Sequence, residues 1–339
     1  MSSNKSCYCT IVLFIFATSW YHVASSLSYS EESMSIKHEK WMAQHGFSYE
    51  NEKVKEARFQ IFKDNVQHID RHNQEGNHTY KLGLNKFADL TNEEFLAKYA
   101  RSSMQSFKVA SSYQSSFEYT NIKDIPPSLD WRDHNAVTAV ANQGTCGTCW
   151  AFSAVATIEG IAAIRSGNLK KLSEQHILDC NYMHEGCKGG RQNSAFEFVI
   201  KNGGLASDTD YPYIGIQTAC ANNKPSSLSL NITGFGFIPP NNETALLAAV
   251  ANQPVSVDVD ITILQFYRSG ILTGECGTNL NHAVTVVGYG ESDDGVKFWL
   301  VKNSWGRGWG DDGYIKLQRN VNAIEGMCGI AMIGCYPIA

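Results

Sequence analysis

Through NEKVKEARFQIFKDNVQHIDRHN the apolar residues Val54, Ile61, Phe62, Val66 and Ile69 return mostly at three- and four-residue steps among charges, with no Gly or Pro between them. That period predicts an amphipathic helix, in a stretch from Ser30 to about Lys98 that is charged, helical in pattern and free of cysteine. A second helix is predicted in CWAFSAVATIEGIAAIRSG, ending at Gly167, a residue suited to a left-handed cap, and a third in LSEQHILDC. Further on, PVSVDV, HAVTVVGYG, KFWLVKNSWG and GYIKLQR are separated by Gly-rich turns and read as strands. Helices followed by strands predict an α+β domain: a helical lobe over roughly 135–235, a β lobe over roughly 236–339, and a ligand cleft between them.

Two segments lack such periods. RSSMQSFKVASSYQSSFEYT, residues 101–120, is Ser-rich and precedes IPP at Ile125–Pro127, the composition of an exposed linker open to a protease. At the N-terminus, Lys5, the apolar run Thr10–Trp20 and the small residues of VASS follow the order of a secretory signal, with cleavage expected near Ser25 or Ser26. The run is shorter than the ~20 residues a membrane span needs, so a soluble protein with no membrane attachment is expected after its removal. The partition is a signal over 1–26, a helical pro-segment and linker over 27–124, and a mature domain over 125–339. The final CYPIA is not a retention signal, which leaves the vacuole or lysosome and the extracellular space as destinations.

Composition narrows the classes. The 339 residues are 43% hydrophobic and 18% charged, as in a globular chain. Net charge is −5 with no basic block, so the electrostatic footprint of nucleic-acid binding is missing. Of ten cysteines, Cys7 and Cys9 lie in the signal and eight follow it. An oxidising route makes disulfides their expected fate, yet an even count leaves the connectivity open.

QGTCGTCW sets Cys146 and Cys149 three residues apart at the threshold of a helix. Unpaired N–H groups and the helix dipole favour a thiolate at that place, and Cys149 occupies it. Such a nucleophile needs a base, and the base needs a partner to hold its tautomer. LNHAV puts His282 at a strand start and VKNSWG puts Asn303 at a strand end beside Trp305, where an indole can shield the imidazole–carboxamide bond. The Gln143 amide and the Cys149 backbone N–H can together receive an oxyanion. A thioredoxin-like redox pair is the main alternative for Cys146 and Cys149; it requires a strand just upstream, where AVTAVANQG is irregular, and gives Gln143, His282 and Asn303 nothing to do. A zinc site would need a second CxxC or a His pair, and Cys180 and Cys187 are too far apart to supply one. Neither a metal nor another cofactor is expected. An inactive storage or binding homologue would have lost the thiol, the imidazole or Gln143, and none is lost.

These residues bear a resemblance. NQGTCGTCWAF, LNHAV and VKNSWG resemble the papain family of cysteine proteases, with His282 and Asn303 standing 133 and 154 residues after Cys149, near the family's spacing. Thr148 departs from the Ser or Ala usual there. RFQIFKDNVQHIDRHN is similar to the family's pro-region helix, with Arg58, Phe62, Asn65, Ile69 and Asn73 in step, and GLNKFAD to a second inhibitory motif; Val54 stands where that helix has Glu, which leaves an ion pair of the pro-segment in question. PSLDWRD, GCKGG, ASDTDYPY and CGTNLNHAV resemble the plant bromelain and ananain group.

The resemblance implies a papain-like two-lobe fold behind an inhibitory pro-segment, and a thiol endopeptidase made as a zymogen. It implies catalytic roles for Cys149, His282, Asn303 and Gln143, with Trp305 in support. Substrate would be bound by Gly189, Gly190, Arg191, Gln192, Asp258, Leu280, Asn281, Ala283 and Ile333, with Arg191 and Asp258 expected to pair across the rim and medium apolar side chains preferred. Disulfides Cys146–Cys187, Cys180–Cys220 and Cys276–Cys328 are implied, leaving Cys149 as a thiol and Cys335 as an inert one. Partners would be protein and peptide substrates, the protein's own pro-segment and cystatin-type inhibitors, acting on a monomer. Acid is expected to loosen the pro-segment by protonating carboxylates such as Asp64 and Asp89, and cutting before Ile125 to follow. Sequons at Asn77, Asn231 and Asn242 offer sites for N-glycans.

Overall fold

The computed structural model describes residues 30–76, 78–100, 114–120, 124–184, 186–221 and 231–339. The signal, Asn77 and residues 101–113 of the Ser-rich stretch lie outside them. The chain divides into two units, Met1–Glu50 and Asn51–Ala339. In the first, helix α1 (Glu31–His45) is capped at its start by the Ser30 side chain and ends at Gly46 with φ 69°. Its Trp41 ring stacks on Phe47 at 4.8 Å.

The second unit begins with α2 (Glu52–Gln74), β1 (Tyr80–Leu82) and α3 (Asn92–Tyr99). Strands β2 (Gln114–Ser115) and β3 (Leu129–Asp130) lead into α4 (Cys149–Ser166), α5 (Glu174–Cys180) and α6 (Gln192–Asn202). Then come β4 (Gly234–Phe237), α7 (Glu243–Val250), β5 (Val255–Val259), β6 (Tyr267–Leu272), β7 (His282–Glu291), β8 (Lys297–Lys302), β9 (Tyr314–Gln318) and β10 (Gly334–Ile338). Among the described residues the strands form one sheet in the order β1-β6-β9-β8-β7-β5-β10-β4-β2, with β3 paired to β7.

The helical period of α2 turns Phe59, Phe62, Val66 and Ile69 inward, while Val54 and Ile61 lie on the flanks. With no Glu at position 54, Arg58 finds its carboxylate elsewhere: it grips Glu94 with two hydrogen bonds of 2.7 and 2.9 Å and the Asp89 carbonyl with a third. Glu94 also closes a capping box with Thr91, so one side chain both starts α3 and ties it to α2.

The Ser-rich stretch is not an exposed linker throughout, a correction to the sequence reading. Its described end, 114–120, adds β2 parallel to β4, and Phe117 and Tyr119 pack around Tyr336, whose hydroxyl accepts the Glu118 N–H at 3.0 Å. Alternate aromatic residues give this polar segment one face to bury. Helix α7 was also missed, a short apolar helix begun by Asn242, whose side chain accepts the Ala245 N–H.

Helix α4 is buried nearly all round, against β7, β5, α5, α6 and β10. Strand β7 is buried at every residue but its last, which explains its unbroken apolar run in place of alternation. The disulfides Cys146–Cys187, Cys180–Cys220 and Cys276–Cys328 close separations of 41, 40 and 52 residues. In a chain-entropy account each closure is worth about 4 kcal/mol. Cys335 is buried within the core that surrounds α4.

Gly160 shows how closely α4 is seated. Replacing a mid-helix Gly by Ala ordinarily stabilises by about 1 kcal/mol. Here a Cβ would lie 2.6 Å from Pro254 Cγ and 3.1 Å from the Ala136 carbonyl oxygen. Overpacking costs about 1 to 3 kcal/mol, so Gly160→Ala should lower the midpoint of thermal unfolding. An unchanged or raised midpoint would mean that α4 has slack against the sheet.

Candidate active site

Thr148 is the residue before α4, and Cys149 is the helix's first. One turn on, the Ser153 hydroxyl donates to the Val284 carbonyl at 2.7 Å. Gly160 abuts Pro254, the neighbour of Val255, which pairs with Val286. Helix and strand therefore advance together, and one turn back from Ser153, about 6 Å, matches two strand residues back from Val284. That brings Cys149 level with His282.

His282 is fully buried at the start of β7, and its Nε2 lies 2.9 Å from Asn303 Oδ1. The same oxygen accepts the Ser304 N–H at 2.7 Å, which fixes the carboxamide with its oxygen toward the ring. Nε2 must then carry the proton, the tautomer in which Nδ1 is the basic nitrogen. The Trp305 ring covers the pair, 4.8 Å from the imidazole, and is braced edge-on by Trp309 at 4.9 Å.

Gln143 is positioned from both sides. Its N–H donates to the Ser304 carbonyl, its Oε1 accepts the Ser304 hydroxyl at 2.6 Å, and its Nε2 donates to the Cys146 carbonyl at 3.0 Å. One amide N–H thus holds the loop. Tyr213 adds a third support: its hydroxyl donates to the Gln143 carbonyl and meets the Thr148 hydroxyl, both at 2.8 Å. The unusual Thr148 is therefore buried with its hydroxyl partnered. Ser304 and Tyr213 were not singled out in the sequence, because a Ser beside a conspicuous Asn and a Tyr in a polar loop carry no pattern of their own.

Behind Asn303 lies a buried ionic cluster that the sequence also concealed. Lys302 donates to Thr138, Thr138 to Glu159, and Lys171 contacts both Glu159 and Glu174. Burial pushes the Glu174 carboxyl up to about 7, against the opposing pull of Lys171.

The residues expected to bind substrate divide into two groups. Gly190 sits so close to the Trp150 ring that a Cβ would fall 2.3 Å from it, and Gly189 has φ 134°. Arg191 is the N-cap residue of α6, and Gln192 donates to the wholly buried Asp258 at 2.8 Å. Asp258 pairs with Ala283 across β5 and β7, and its N–H donates to the Ile333 carbonyl. Leu280, against Gly329, and Asn281, whose Oδ1 accepts the Ile261 N–H, form the second group, just ahead of Ala283 in the chain. Asn231 and Asn242 are exposed.

The pro-segment roofs this site. Phe87, Phe95 and Tyr99 stand edge-on to Trp305 at 5.6, 5.4 and 6.2 Å. Asn85 donates to the Gln265 carbonyl, and Gln265 returns bonds to the Phe87 and Leu90 carbonyls. Among the described residues no group of His, Cys, Asp and Glu is placed to hold a metal, and no helix is long and apolar enough to cross a membrane.

Comparison with known proteins agrees with this geometry. Residues 125–338 match the family model "Papain family cysteine protease", and residues 38–95 match "Cathepsin propeptide inhibitor domain (I29)". Ananain from Ananas comosus is 44% identical, over 96% of this chain and 95% of its own. The solved recombinant stem bromelain precursor superposes with a TM-score of 0.83 at 46% identity, covering 90% of this chain and 98% of that one. Bromelain from Ananas comosus in complex with the E64 inhibitor superposes at 0.60 with 48% identity, over 63% of this chain and 99% of the other. The chain belongs to the papain family of cysteine proteases, as a cysteine endopeptidase zymogen with an inhibitory propeptide ahead of its papain-like domain.

Proposed function

We propose that Cys149 is the nucleophile of peptide-bond hydrolysis, His282 its acid and base, Asn303 the residue that orients the imidazole, and Gln143 an oxyanion donor. The observation that carries this is the 2.9 Å contact between His282 Nε2 and Asn303 Oδ1 beneath Trp305, at the level of the first residue of α4. The thiolate adds to the peptide carbonyl, and the oxyanion receives the second Gln143 amide N–H and the Cys149 N–H. As the C–N bond breaks, His282 gives its proton to the leaving amine. Water then adds to the thioester with His282 as base, the acid product leaves, and the thiolate returns.

Cys149→Ala should abolish hydrolysis and epoxide labelling while the fold is kept. Gln143→Ala should lower kcat/KM by about a hundredfold to a thousandfold. Equal alkylation of Cys146 and Cys149 by iodoacetamide in the native protein would favour a redox pair and reject the scheme.

The finer readings rest on composition, motif and geometry. The N-terminal run directs the chain to the secretory route, toward a vacuole or the exterior; Asn231 and Asn242 are exposed sequons there. The mature enzyme is a monomer starting near Ile125, open to cystatin-type inhibitors. Gly190, Arg191, Gln192, Asp258, Leu280, Ala283 and Ile333 form the wall that favours a medium apolar side chain second on the amino side of the cut. A fluorogenic library varied at that position should rank Leu and Val first. A preference for basic residues that Asp258→Ala removes would reverse the assignment.

Acid activation follows from the pro-segment's own groups. The Arg58 guanidinium holds the Glu94 carboxyl below its ordinary 4.5, so this clip is at full strength above 4.5 and is lost as the pH falls through the depressed value. Partial burial, with His78 stacked at 3.8 Å, holds His72 below its ordinary 6.5, so its neutral contacts are at full strength above 6.5 and weaken as the pH drops beneath it. Conversion of purified precursor should therefore quicken from pH 7 to pH 5 and again below 4.5. Glu94→Gln, which keeps the cap and removes the charge, should convert faster than wild type at pH 6. A precursor that stays intact at pH 4 with reductant present would contradict this account.

A further inference from the structure

Lys86 of the pro-segment roof brings a charge to Trp305. Its Nζ donates to the Trp305 carbonyl at 2.9 Å and to Asn142 Oδ1 at 3.0 Å. Both acceptors belong to the papain-like domain, residues 125–338. The two loops that carry them are zipped together, with Asn142 bridged to Trp305, the Gln143 N–H on the Ser304 carbonyl and the Gly306 N–H on the Ala141 carbonyl. The Asn142 carboxamide is fixed in turn, since its Oδ1 also accepts the Gly144 N–H at 3.1 Å. Two oxygens thus converge on one point at the rim, held by backbone on both sides, and Lys86 Nζ is the group that sits there.

The location gives that point a meaning. Trp305 lies on the His282 ring at 4.8 Å, and His282 is the group that hands its proton to the leaving amine. The oxygens are therefore on the side where the leaving portion of the substrate runs. Burial beneath the roof pushes the Lys86 ammonium down to about 8, with the Phe87 and Tyr99 rings at 5.2 and 6.0 Å. Those two rings leave with the pro-segment, so a substrate cation would meet the same two acceptors with less desolvation.

We infer that Asn142 Oδ1 and the Trp305 carbonyl form a cation subsite of the mature enzyme, occupied by Lys86 in the zymogen and by a lysine side chain on the leaving side of the substrate afterwards. Two charge-assisted hydrogen bonds recognise the ammonium, and a neutral chain of equal length leaves both oxygens to water. The inference rests on the proposed role of His282.

The test uses the acid-matured enzyme and internally quenched peptides in which Lys or norleucine is walked through the first three positions after the cut. At one of them Lys should be favoured in kcat/KM by about fivefold or more. Asn142→Ala should bring that ratio close to one, and Asn142→Asp, which keeps the Gly144 bond and adds a charge, should raise it. Because each ratio is taken within one enzyme, a general loss of activity cancels. A wild-type ratio near one at all three positions, or a ratio unmoved in both variants, overturns the inference. A coumarin amide with nothing beyond the cut separates the two claims: if wild type hydrolyses it and the Lys preference is absent, only the subsite fails. Peptide hydrolysis that persists in Cys149→Ala would remove the catalytic scheme itself.

Discussion

An imidazole can pass a proton in a chosen direction only if its other nitrogen is held, and everything around the cleft serves that one hydrogen bond. Asn303 accepts from His282 because the Ser304 N–H fixes its carboxamide, and Ser304 in turn holds Gln143 through both its carbonyl and its hydroxyl. A single dipeptide after β8 therefore sets the tautomer of His282 and the place of Gln143, the base and the oxyanion donor of the proposed scheme. The register of β7 against β8 and the seating of α4 on β7 extend this control to Cys149. Loose packing of α4 would move Cys149 away from the base without breaking any bond at the base.

The zymogen exploits the same element. Trp305 excludes water from the imidazole–carboxamide bond, and the pro-segment closes over it with three rings and one ammonium. Inhibition thereby uses surfaces the enzyme needs in any case. The roof is pinned by the Arg58–Glu94 ion pair and the stacked His72 and His78, while the domain below is closed by disulfides.

The residues of the candidate site were legible before any coordinates, and the structure joins His282 to Asn303 and Gln143 to the neighbouring Ser304. Cys149, His282, Asn303 and Gln143 are residue types with few other reasons to stand at a helix start, a strand start and a strand end. The long period of α2 and the apolar runs of β5 and β7 were equally plain. What stayed hidden were partners whose roles exist only in three dimensions: Glu94 for Arg58, Tyr213 for Thr148, Gln192 for Asp258, and the Glu159, Lys171, Glu174 and Lys302 cluster. The Ser-rich composition of 101–120 outweighed the alternation of Phe117 and Tyr119, which pack on Tyr336 and hold the described end in place.

The orienting bond can be observed directly by nuclear magnetic resonance of the mature enzyme labelled with nitrogen-15 at histidine. The account predicts a slowly exchanging proton on His282 Nε2 that is lost, or exchanges rapidly, in Asn303→Ala. A His282 ring with a bare Nε2 and its proton on Nδ1 would contradict it.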